Sequence, residues 1–245
     1  MKNFFWILTH YLKRNFLNLA NYLVIGLPLI FSFAFQLVAN FLIANNLDGS
    51  AFANLAIVIV LGFQFFGADL TTNWLHADLK GSTRLRLHAS GNDQRVFYLA
   101  VVIAGWLFNT LMGAVLVAIT SLIAFFNADW GNYILIMLAI LLLSFLTQLV
   151  GVLIFYTTKD KKAGAKVAYL FGEAMIGIAI FPAMFNLSNT IKNITNYLPA
   201  ELGVHITTAT TFASARQQLA ILFGMNILLA TCIFLIGRRR NNDNL

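Results

Sequence analysis

Six long apolar runs separated by short connectors constrain this chain more than any other feature. They fall at about residues 17–42, 51–75, 96–126, 133–156, 167–185 and 219–236. A helix needs about 20 mainly apolar residues to cross the roughly 30 Å hydrocarbon core of a bilayer, and each run reaches or approaches that length. Composition closes off the soluble alternative. Of 245 residues, 60% are hydrophobic and only 10% charged, whereas charged residues make up about a quarter of a soluble domain. The expected fold is an all-α polytopic membrane protein, a single transmembrane domain of six helices. The third run is long enough to tilt. Pro28 and Pro182 mark kinks that neighbouring helices tolerate. The first run starts near Leu17 and is too long for the core of a cleavable signal peptide. The one cysteine, Cys232, sits inside an apolar run and has no partner for an internal disulfide.

Charge sets the orientation. Lys2, Lys13 and Arg14 precede the first run. Lys80, Arg84, Arg86 and Arg95 follow the second. Lys159, Lys161, Lys162 and Lys166 follow the fourth, and Arg238, Arg239 and Arg240 follow the sixth. Only Lys192 and Arg216 fall on the opposite side. Cytoplasmic loops carry the excess of Lys and Arg, so both termini are expected in the cytoplasm. The net charge of +7 is then a topological signature and not a nucleic-acid surface. The three arginines at 238–240 read as a stop-transfer anchor on anionic headgroups, and the whole as a bacterial cytoplasmic-membrane protein.

Two segments outside the runs are patterned. In residues 1–16, Phe4, Leu8, Leu12 and Phe16 recur every four residues with Phe5 and Tyr11 beside them. Lys2, Thr9, His10, Lys13 and Arg14 gather opposite. That is an amphipathic helix suited to the headgroup plane. Residues 186–216 are too apolar for a flexible linker, with Ile191, Ile194, Tyr197, Leu198, Leu202 and Val204. They read as two short helical pieces re-entering the outer leaflet, broken at Pro199; such backbone is allowed there only under cover of protein or water.

The connector after the second run is basic, yet Leu79, Leu85 and Leu87 interrupt the charge. It reads as a short cytoplasmic amphipathic element, 78–95, built to dock. Asp78, Lys80, Gly81-Ser82-Thr83 and Leu85-Arg86-Leu87, followed by a run from Val96, form an ordered set. This set resembles the permease subunits of ABC-2-type ABC transporters. Those usually carry Glu where Asp78 stands and Pro near Ser90-Gly91. The N-terminal amphipathic helix, and prolines near Pro182 and Pro199, are similar to that family as well. The resemblance implies that Asp78, Lys80, Gly81, Arg84 and Arg86 belong to a coupling element seated in a groove of a separate ATPase subunit. ATP and Mg would bind that partner and not this chain. A second permease copy, or a paralogous permease, would complete the pathway within the membrane lipids.

No enzyme signature is present. There is no GxxxxGK[ST] phosphate loop and no His/Cys set at metal-ligand spacing. His10, His76, His88 and His205 are scattered, and no convergent acid–base set appears. Two acids lie within runs. Asp69 is about 13–14 Å above Asp78, and Glu173 roughly 10 Å past Lys166, at the rise of an α-helix. An unpaired charge at such depth costs at least a few kcal/mol. Each acid must face water, be protonated, or accept hydrogen bonds from groups such as Thr72, Asn73, Asn109 or Gln148. Lining a cavity for cationic or amphipathic cargo and bracing helices both stay open, with Asp69 the deeper of the two. Asn109 and the other uncharged polar groups of the runs fit interhelical hydrogen bonding or a pathway contact. Two functions follow. One is the permease subunit of an ATP-driven exporter moving a hydrophobic or amphipathic substrate such as a drug, antimicrobial peptide or lipid. The other is a stand-alone membrane protein, a secondary carrier or an immunity-type protein. A carrier would be expected to show paired intramembrane charges and an inverted repeat, and neither is evident.

Overall fold

The computed structural model describes residues 2–45, 55–80, 94–122, 131–184 and 193–242. Among these the ordered elements are all helical. Helix α1 (Lys2–Leu17) ends in a tight 3₁₀ turn, Leu19–Tyr22, before α2 (Leu23–Ala44) begins. Asparagines make that break. Asn18 Nδ2 donates to Asn21 Oδ1 at 3.1 Å, and Asn21 Nδ2 donates to the Asn15 carbonyl at 2.9 Å. Such local bonds compete with the helical ladder, so the first apolar run is divided at its start.

The second run is one rod with two irregular turns. Helix α3 (Leu55–Phe63) passes through a 3₁₀ turn, Gln64–Phe66, into α4 (Gly67–Leu75) and then a π turn, His76–Lys80. Four longer elements follow: α5 (Gln94–Leu122), α6 (Tyr133–Thr157), α7 (Lys161–Met184) and, after the short α8 (Pro199–Thr208), α9 (Phe212–Asn242). Helices α7 and α9 begin before their apolar runs. Lysines and glutamines are good helix formers, and long basic side chains snorkel to the interface.

Five helical stretches are long and apolar enough to cross a membrane: Ile57–Lys80, Arg95–Leu122, Tyr133–Thr157, Lys161–Ile180 and Phe212–Arg238. The chain is therefore an all-helical membrane protein. Helix α2 contributes a shorter apolar stretch, Gly26–Leu42.

Helix α6 is the hub and packs against α4, α5, α7, α8 and α9. Leu135, Ile136, Ala139, Ile140 and Leu143 on it are fully buried. A polar seam runs through the same core. Thr71 Oγ1 donates to Gln148 Oε1 at 2.5 Å, and Ser144 Oγ to Gln64 Oε1 at 3.1 Å. Asn109 Nδ2 donates to the Gln64 carbonyl at 2.9 Å, and Thr72 Oγ1 to the Gly151 carbonyl at 3.0 Å. These bonds tie α4 and its leading turn to α5 and α6, the role small and polar residues play where lipid removes the hydrophobic drive for helix association. Gly151 makes the approach possible: a Cβ there would stand 2.6 Å from the Ala68 carbonyl oxygen.

Helix α8 lies alongside the N-terminal half of α6. At its C-terminal end Gly131 N donates to the Thr207 carbonyl at 2.8 Å, and Asn132 N to the Ala209 carbonyl at 3.0 Å. Gly203 faces Leu143 and Leu61. Pro199 reaches a hollow shared with Leu146, Val150, Phe171 and Met225. Leu146 is about 20 Å along α6 from Tyr133 at the α-helical rise. Pro199, half-buried, therefore starts a short helix about halfway along α6, its fixed φ suited to the first helical position. A helical turn at 193–195 precedes it; residues 185–192 lie outside the described residues.

Candidate functional site

Two clusters hold the residues that the sequence singles out. The first is at the end of the bundle where α6 ends and α7 begins, around the π turn His76–Lys80. Such turns insert one extra residue and gather at functional positions. Asp78 is buried there. Its Oδ2 accepts from the Tyr11 hydroxyl at 2.7 Å and from the Arg14 guanidinium at 2.8 Å. Arg14 also lies 3.8 Å over the Trp74 ring, and Trp74 Nε1 donates to Asn15 Oδ1 at 2.8 Å. Burial, and then the neighbouring Asp78 carboxylate, raise the Tyr11 pKa above that of an ordinary phenol, so the hydroxyl stays a donor.

Lys80 turns the other way. Its Nζ donates to the Phe155 carbonyl at 3.0 Å and to the Thr158 carbonyl at 2.5 Å, covering the last carbonyls of α6. His76 Nε2 and Thr158 Oγ1 are 2.9 Å apart. Next along, Asp160 caps α7 through Ala163 N at 2.8 Å, and that bond holds the exposed carboxyl below the usual range.

Gly81, Arg84 and Arg86 lie outside the described residues, so the pairing of this turn concerns Asp78 and Lys80 alone. Sequence reasoning did not find Tyr11 and Arg14. It placed Arg14 among headgroup-facing residues, whereas Ile7, Tyr11 and Asn15 form the buried side of α1 and Arg14 is half-buried beside them. The available signal was their spacing: residues 7, 11, 14 and 15 share one side of a helix. Phe5 and Trp6 point outward instead, 61% and 72% exposed.

The second cluster runs up the flank of α4 and α7. Asn73 Nδ2 donates to Asp69 Oδ2 at 2.6 Å, so one of the four expected donors is the one used. Thr72 and Asn109 donate within the core seam instead, and Gln148 accepts there through Oε1. Phe66, Asp69 and Asn73 form the partly exposed edge of a rod otherwise mostly buried. Across from them on α7, Tyr169 stands 5.9 Å from Phe66, ring to ring, and within electrostatic reach of Asp69. Lys161 exerts its charge on Asp69 too. Glu173, one helical turn beyond Tyr169, is exposed. Asp69 and Glu173 thus fall on one flank. Asn109 does not join them: it is fully buried behind α4, in the seam.

Among the described residues no group of three or more His, Cys, Asp and Glu gathers to hold a metal. Fold and sites together define an all-helical membrane-spanning protein with a partly buried ion pair at one end and an acidic, aromatic flank. No family model, curated protein or solved structure matches this chain.

Proposed function

We propose that the chain is the permease subunit of an ATP-driven exporter of the ABC-2 type, working with a separate ATPase and a second permease copy or paralogue. The observation that carries this reading is the flank of Asp69, Asn73, Tyr169 and Glu173. Glu173 is about 18 Å past Lys161 along α7 by the α-helical rise, the middle of a span. An exposed carboxylate there is costly against lipid, and intramembrane acids face water or a protein partner. A second copy closing over this flank makes a wet passage with acid and aromatic walls, suited to hydrophobic or amphipathic cargo that carries positive charge. Helix α8 re-enters from the outer side and roofs the bundle. The 78–95 segment receives the push of the ATPase, and differential contact with two states shifts the passage between them.

The test uses single cysteines in a Cys232→Ser background, in inside-out and right-side-out vesicles. A small charged thiol reagent should label Glu173→Cys at least tenfold faster than Phe223→Cys, which stands exposed on α9. Equal, slow labelling at both would mean that lipid covers the flank. Alongside it, the chain should co-purify with a soluble ATPase and lose it on deletion of residues 79–92. Retention of that partner by the deleted chain would remove the coupling role.

A further inference from the structure

We propose that the seam between α8 and α9 holds a resident membrane lipid with an uncharged, hydroxyl-rich headgroup, a glycosylated diacylglycerol. This rests on the membrane-spanning fold and not on the permease reading above. Two hollows lie end to end along the seam. The first, of about 230 Å³, has mostly polar walls: Asn196 and Tyr197 just before α8, His205 on it, and Gln217 and Gln218 on α9. The second is wholly apolar. Pro199 opens α8 into it, with Phe171 of α7 and Met225, Leu228 and Leu229 of α9 around it. Ile221 lines the first hollow and Met225 the second. They stand one turn apart on the same side of α9, so one hollow continues into the other.

Depth matches a lipid. Gln217 and Gln218 directly precede the apolar run that starts at Leu219, which puts the polar hollow at headgroup level. Met225 to Leu229 follow about 9–15 Å further along α9 at the α-helical rise, and one leaflet contributes about half of a roughly 30 Å core. Leu228 is 63% exposed, so the apolar hollow opens sideways to the acyl chains. Phe171 lies roughly 200° round α7 from Tyr169 and Glu173 at 3.6 residues per turn. The seam therefore faces away from the acidic flank, and its occupant is not cargo in that passage.

The lining selects the headgroup. Among the described lining residues there is no carboxylate, lysine or arginine, and basic groups are what anionic headgroups bind. Carboxamides, a phenol and an imidazole each offer donors and acceptors, the pattern that neighbouring hydroxyls return. Gln218 Oε1 is buried and takes no hydrogen bond among the described residues. The terminal torsion of glutamine is soft, so a small turn offers that acceptor to a ligand hydroxyl. Tyr197 is 54% exposed, and the negative face of its ring attracts the C–H face of a pyranose. The hollow has the space of about seven waters at roughly 30 Å³ each, enough for one sugar ring and too small for a drug-sized ligand.

The test uses the full chain in vesicles of phosphatidylethanolamine and phosphatidylglycerol. Three photoreactive lipids carry the same mid-chain diazirine and are added singly at equal mole fraction: a monoglucosyldiacylglycerol, a phosphatidylglycerol and a phosphatidylethanolamine. Peptide mass spectrometry locates the labelled residues. The glucosyl probe should label residues 225–229 about fivefold more than either of the others, the worth of roughly one net hydrogen bond. Gln218→Leu should bring it down to their level. Gln217→Leu, at an exposed position, should act in the same direction and serves if Gln218→Leu does not fold. Met225→Trp, which fills the apolar hollow, should lower labelling by all three probes. Equal labelling by the three probes in the parent chain means annular lipid only and overturns the proposal. A preference for either phospholipid overturns the uncharged headgroup. Parent-level labelling in both glutamine variants removes the headgroup from this hollow. Loss of labelling to equimolar methyl glucoside would mean that a free sugar binds as well as the lipid, and overturns the lipid as occupant.

Discussion

One carboxylate oxygen, Asp78 Oδ2, takes a hydrogen bond from a phenol and another from a guanidinium. The two donors are not equal. Removing the neutral one, Tyr11→Phe, leaves the ion pair intact and should cost about 0.5–1.5 kcal/mol. Arg14→Gln leaves a buried carboxylate without its cation and should cost more, about 1–3 kcal/mol. Thermal unfolding in detergent gives the order, and a larger loss for Tyr11→Phe would mean that solvent already screens the guanidinium. In the core, Gly151 is tested the same way. Its added methyl would meet the Ala68 carbonyl, a backbone atom that cannot swing aside. Gly151→Ala should destabilise by about 1–3 kcal/mol, the range for overpacking. Gly224→Ala, with open space around it, should cost little in the same assay.

At the level of elements, the apolar runs made five spanning helices legible, because length and hydropathy are local properties. The turns inside them were not. The π turn at His76–Lys80 is favoured by contacts to residues 64 to 82 positions away, which no local pattern records. The 3₁₀ turn at Gln64–Phe66 is likewise matched to Asn109, which donates to the Gln64 carbonyl across the seam. The stripe on α1 was misread in part for the same reason. Its inward side follows the polar contacts of Tyr11, Arg14 and Asn15, so Phe5 and Phe16 stay exposed while Asn15 is buried. Asp69 and Glu173 could be named from sequence as acids in spans, but their shared flank required the antiparallel packing of α4 on α7. Helix α8 gives a prediction at this scale. Ala200, Leu202 and Ile206 are at most 1% exposed, and the helix is held at both ends. Hydrogen exchange of its amides at 203–208 should be at least a hundredfold slower than at the exposed pair Thr210 and Thr211, because buried helical bonds open only by larger unfolding. Exchange at similar rates would mean that α8 sits at the surface and does not insert beside α6.

For the whole molecule, the question is how many times the chain crosses. Five helices satisfy length and hydropathy, and five crossings would put the ends of the chain on opposite faces. The packing favours an even number. Arg14 on α1 binds Asp78, next to Lys80, whose ammonium reaches Phe155 and Thr158 at the end of α6. A Cβ on Gly237, near the end of α9, would stand 3.3 Å from the hydroxyl of Tyr156, one residue past Phe155. The ends of α1 and α9 therefore meet the same end of the hub. Helix α2 must then travel the full height of the bundle, and Phe31 beside Phe63, 6.2 Å between ring centres, places it against α3 on the way. We predict that α2 is a sixth crossing, with its 17-residue apolar stretch thinning the bilayer locally or leaning on α3 to compensate for its length. The basic connectors then all face the cytoplasm, as the charge bias requires. In intact cells, cysteines at Thr9, Lys162 and Arg238 should all resist a membrane-impermeant thiol reagent, while Thr211→Cys should react. Reaction at Thr9 with protection at Arg238 would make the crossings odd in number and leave α2 outside the count.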